Sequence, residues 1–78
     1  METYTNFTSS NVKELGYEES TEEVFVTFKN KEGVKTSQHS YRPFSRSFFV
    51  DNIPNAPSVG KAVNQFLVKG NCERRKVS

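Results

Sequence analysis

The chain is short of sulfur, of long apolar runs and of catalytic side chains. Its one cysteine, Cys72, excludes an intramolecular disulfide. Its one histidine, His39, would need carboxylates as well as Cys72 to complete a metal shell, so no metal or other cofactor is expected. No stretch approaches the ~20 apolar residues that cross a bilayer. Met1-Glu2-Thr3-Tyr4 has neither a basic region nor an apolar run, so no signal peptide is read and a cytoplasmic location is expected. A Cys–His nucleophile would need Cys72 and His39 adjacent in space with a residue to orient them. The sequence offers no such third residue, and the expectation is a protein that is not an enzyme.

What remains is a 78-residue chain with 33% apolar residues, seven Phe and three Tyr. That length makes a single domain, 1–78, with a small core in which rings supply much of the buried area. Its binding site is then expected to be a surface, a shallow groove or a sheet edge. Charge is split along the chain. Residues 1–39 carry four Lys against seven Glu, a net of −3. Residues 40–78 carry seven Lys or Arg against Asp51 and Glu73, a net of +5. Such a split steers an anionic partner to one side or is ordinary solvated surface.

Glu23–Lys29 is the clearest strand, with Val24, Val26 and Phe28 alternating onto one face and Phe25 and Thr27 onto the other. Asn11–Tyr17 reads as an extended segment before it. Asn30-Lys31-Glu32-Gly33 is the turn into a second hairpin strand, Val34–Tyr41, polar and suited to an edge. Residues 45–53 read either as a short helix capped by Ser45 or Ser47 and ended by Pro54, or as a strand at Phe48–Val50. A helix is expected over Val59–Lys69, capped by Ser58, with Val59, Ala62, Val63, Phe66 and Leu67 as its apolar stripe. Residues 1–7 fray or pair as an edge strand, and 71–78 are expected to be mobile. The fold class is α+β: a small antiparallel sheet of about three strands against the C-terminal helix and a shorter helical segment before it. The expected core is Val12, Leu15, Val24, Val26 and Phe28 from the sheet, with Phe48, Ile53, Val59, Val63, Phe66 and Leu67 over it.

Ser9-Ser10-Asn11-Val12, Leu15-Gly16-Tyr17-Glu18, Thr21 with Val24, Val26 and Phe28, and Ser58-Val59-Gly60 with Asn64 follow one another in an order that resembles the KTSC domain family. These small domains occur alone in bacterial and phage proteins or attached to some lysyl-tRNA synthetases. The resemblance covers roughly residues 8–69. The family's central Tyr-any-Tyr motif is met here by His39-Ser40-Tyr41, which keeps only the second aromatic. The segment from Gly33 to Ala56 is a few residues longer than usual. The resemblance implies a small bacterial or phage accessory domain, with RNA binding suggested by its company.

On this reading Ser10, Gly16, Ser58, Gly60 and Asn64 are structural. Gly60 is expected to permit close packing against the sheet, and the Asn64 amide is expected to bond a backbone group of the N-terminal loop. The functional expectation is a non-enzymatic module engaging a protein partner through the polar strand and the insertion. Its residues are Gln38, His39, Tyr41 and Arg42, then Phe44, Arg46 and Phe49. The alternative is RNA or single-stranded nucleic acid, with Phe25 and Tyr41 stacking bases while Arg42, Arg46, Lys69, Arg74, Arg75 and Lys76 meet phosphates.

Overall fold

A computed structural model describes all 78 residues. A five-stranded antiparallel sheet follows chain order: β1 (Glu2–Tyr4), β2 (Val12–Glu18), β3 (Glu23–Lys29), β4 (Lys35–Arg42) and β5 (Glu73–Lys76). Between β4 and β5 lie α1 (Arg46–Asn52) and α2 (Val59–Val63), and α2 runs on into a π-helical turn, Asn64–Val68. The α+β class holds, but the sheet has five strands where about three were expected. The two added strands are those the pattern marks least: three residues at the N-terminus and four charged ones at the C-terminus.

β3 forms as its alternation predicts and is the central strand. Val24 and Val26 pair with Tyr17 and Leu15 on β2 and with Tyr41 and His39 on β4. An irregularity between Val12 and Glu14 shifts the register, which lets Val12 join the same buried face. Asn30 shapes the hairpin turn by accepting from Glu32 N and Val34 N through its carboxamide oxygen, and Gly33 takes φ 83°.

Residues 45–53 resolve as helix. Ser45 caps α1 by accepting from Phe48 N, and the helix closes at Ile53 before Pro54. Ser58 caps α2 by accepting from Lys61 N at 3.4 Å. From Asn64 the bonding widens, Lys69 N donating to Asn64 O at 2.9 Å. Each residue of the wider turn rotates the chain less, so Leu67 reaches the middle of the buried stripe while Phe66 falls at its margin.

Both helices cover one sheet face. The buried cluster joins Val12, Leu15, Tyr17, Val24, Val26 and Tyr41 from the sheet to Phe49, Ile53, Val59, Ala62, Val63 and Leu67 above it. The expected core is corrected at its rings. Phe48 is 44% exposed and Phe28 and Phe66 are only partly buried, whereas Tyr17, Tyr41 and Phe49 are enclosed. Phe49 stacks on Tyr17 at 5.4 Å and receives Tyr4 edge-on at 5.5 Å.

Candidate functional site

The residues expected to meet a partner do not form one surface. β4 is not an edge: β3 covers one side and β5 the other, where His39–Arg42 pairs with Lys76–Glu73. A partner strand cannot add there. Tyr41 and Phe49 lie in the core. Gln38 donates to Thr27 Oγ1 at 3.1 Å on the opposite, helix-free face. Arg46 grips Glu2 at 2.7 Å, and that guanidinium holds the Glu2 carboxyl below its usual range. His39 turns its edge to Phe28, its Nδ1 buried without a partner. Burial, with Arg74 and Lys76 adding to it, pushes its pKa down, so the ring is neutral.

The basic set is also divided. Phe25, Ser40 and Arg75 occupy one cross-strand row, so Phe25, Arg42 and Arg75 share the helix-free face. Arg74 and Lys76 pair with Tyr41 and His39 and point to the other side. Arg75 is engaged with Glu23 at 3.5 Å, and Glu14, Glu18 and Glu73 interleave with the cations of that face. Lys69 lies beyond the π-helical turn and is exposed.

Chemistry at Cys72 is poorly supported. Its Sγ donates to Pro43 O at 3.6 Å, and burial pushes its pKa up, which keeps it a thiol. By register it stands four strand positions beyond His39, about 13 Å along the strand. No three His, Cys, Asp or Glu side chains gather into a cluster that could hold a metal.

Two surfaces do concentrate side chains. The first is a strip of rings over the helical layer. Phe48 stands edge-to-face with Phe44 at 5.5 Å and with Phe66 at 5.3 Å. The expected partner set contained Phe44 but placed Phe48 and Phe66 in the core. The signal that separates them is α1 itself: Phe48 and Phe49 are neighbours, and a helix buries only one of such a pair on a narrow contact.

The second is an open groove of about 600 Å³ between residues 8–11 and the last helix. Ser9, Ser10 and Asn11 face Ser58, Gly60, Lys61 and Asn64 across a floor of Phe28, Val63 and Val68. Ser9 Oγ accepts from Asn11 N and Val12 N and donates to Asn11 Oδ1, which stiffens the loop. A Cβ at Gly60 would stand 2.5 Å from Asn11 Oδ1, so glycine sets how closely loop and helix approach. Gly60 therefore packs closely, but against the loop's carboxamide and not against the sheet as expected. The Asn64 expectation is corrected: its side chain is exposed and bonds no backbone group of the loop, because the widening turn carries it outward. Gly16, on the helix-free face, leaves room for the Met1 side chain, whose Sδ would lie 2.8 Å from a Cβ there.

Comparison with known families and with curated proteins finds no match to this chain. No helix is long and apolar enough to cross a membrane.

Proposed function

We propose that the protein is a non-enzymatic binding module whose partner is a protein, engaged through the Phe44–Phe48–Phe66 strip. The observation that carries this reading is the exposure of Phe48, 44%, with a ring on each side of it. Exposed contiguous rings are costly in water and are the anchors that protein interfaces favour. The partner would present apolar side chains that pack over the rings. A role as a small bacterial or phage accessory domain of the KTSC type belongs to the same proposal. It is supported by the meeting of Ser9-Ser10-Asn11 with Ser58, Gly60 and Asn64 in one groove, since these are the residues of the resemblance.

A second reading keeps RNA or single-stranded nucleic acid. Phe25 with Arg42 and Arg75 on the uncovered face favours it, because a ring flanked by guanidinium groups suits stacked bases. The interleaved glutamates weigh against it.

The test is capture from a lysate of the source organism by the tagged full chain, repeated with Phe48→Ser. A captured protein that is lost with Phe48→Ser, at unchanged melting temperature, is the expected result. Equal capture by both chains removes the strip from the site. Binding of purified RNA that falls steeply with salt and disappears in Arg42→Glu with Arg75→Glu would establish the second reading instead.

A further inference from the structure

The groove beside Gly60 is separate from the ring strip and has its own chemistry. Twelve residues line it, and none is Asp or Glu. In a chain with nine acids, the one charge at this place is the Lys61 ammonium. Around it stand the hydroxyls of Ser10 and Ser58 and the exposed Asn64 amide. Ser10 and Asn64 make no side-chain hydrogen bond in the fold, and Ser58 only accepts one, so each has a donor to offer. The Ser9 hydroxyl, by contrast, is spent on shaping the loop. One wall is therefore preorganised and the other offers donors, which lowers the ordering entropy a ligand must meet.

The floor adds a second requirement. Phe28, half-buried, and Val68, 43% exposed, give an apolar base beneath the polar rim. The far wall is the π-helical turn, a rare arrangement that is frequent at functional sites. The volume, about 600 Å³, lies within the range of small-ligand sites.

We propose that this groove binds a small molecule that carries one carboxylate or phosphate on a flat apolar body. The anion meets Lys61, Ser10 and Asn64, and the apolar body lies on Phe28 and Val68. The Gly60 contact with Asn11 sets the width. The proposal is for binding alone, with no bond made or broken.

The experiment titrates the full chain with phenyl phosphate, benzoate and the neutral benzamide, following backbone amide chemical shifts. Saturable shifts at Ser10, Asn11, Lys61 and Asn64 with an anion at roughly millimolar concentration, and none with benzamide, are expected. Preference between the two anions distinguishes a phosphate ligand from a carboxylate one. Lys61→Gln, a surface change, should weaken binding about tenfold while leaving the spectrum otherwise folded. The proposal is overturned if neither anion saturates, if benzamide binds equally, if the shifts map elsewhere, or if Lys61→Gln binds as tightly.

Discussion

Tyr17 joins two parts of the molecule that are far apart in sequence. Its ring stacks on Phe49 in the core, and its hydroxyl donates to Phe44 O at 2.6 Å. Burial raises its pKa, with Glu22 and Glu19 adding to the effect, so the hydroxyl stays a donor. Tyr17→Phe keeps the ring and leaves the Phe44 carbonyl unpaired, a loss of about 1–3 kcal/mol that a denaturant titration measures. Ring burial ranks two further substitutions. Phe49→Ala should cost about 3–5 kcal/mol because Phe49 is fully enclosed. Phe66→Ala, expected from the helical stripe to be as severe, should cost clearly less because Phe66 is only partly buried. Parallel thermal melts settle the order, and a reversed order would mean that Leu67 does not occupy the middle of the stripe.

At the scale of elements, β5 changes the meaning of β4. The polar sequence of β4 suits a solvent-facing edge, yet an eight-residue strand left unpaired on one side would invite other chains. β5 covers it with Arg74, Arg75 and Lys76, so the charged strand becomes the edge. Gln38 O extends the closure by accepting from Val77 N at 2.7 Å. Removing residues 73–78 should expose the β4 backbone, lower the melting temperature and produce concentration-dependent association. Size-exclusion chromatography at several concentrations checks this, and a stable monomer would show that β5 contributes nothing as a cover.

For the whole molecule, half-buried His39 and buried Glu23, on opposite sheet faces, contribute to the acid response. His39 has its pKa lowered from 6.5 by burial and by Arg74 and Lys76. The unfolded chain therefore takes up that proton first, and stability is lost as pH falls through about 6.5 toward the folded value. Glu23 is lowered from 4.5, first by a hydrogen bond from Thr21, then against desolvation by Ser40, Arg75 and Arg42. Its stabilisation is present above 4.5 and disappears as pH falls through its folded value. Thermal melts across this range should show two losses. His39→Gln should remove the upper and Glu23→Gln should reduce the lower, to which Glu2 also contributes, and a single unchanged transition in both variants would contradict the assignment.

Much of the local structure was legible along the chain because its causes are local. The alternation of Val24, Val26 and Phe28 sets which face of β3 turns inward, the Ser58 hydroxyl caps α2, and Pro54 marks where α1 ends. Other features depend on residues far away in sequence. Glu73-Arg74-Arg75-Lys76 has no apolar alternation, and it is a strand because β4 offers it a row of backbone partners. Phe48 and Phe49 have the same chemistry, and only the position of α1 over Tyr17 selects Phe49 for burial. The groove likewise exists only after folding, when the closeness allowed by Gly60 brings Ser9-Ser10-Asn11 against α2. By itself the sequence determined the α+β class, the Ser58 cap and the inward face of the central strand, since these follow from neighbours one to four residues apart. Tertiary structure alone decided the sheet's true edges, which rings are buried and where a ligand could sit, because each depends on what packs against a residue from elsewhere in the chain.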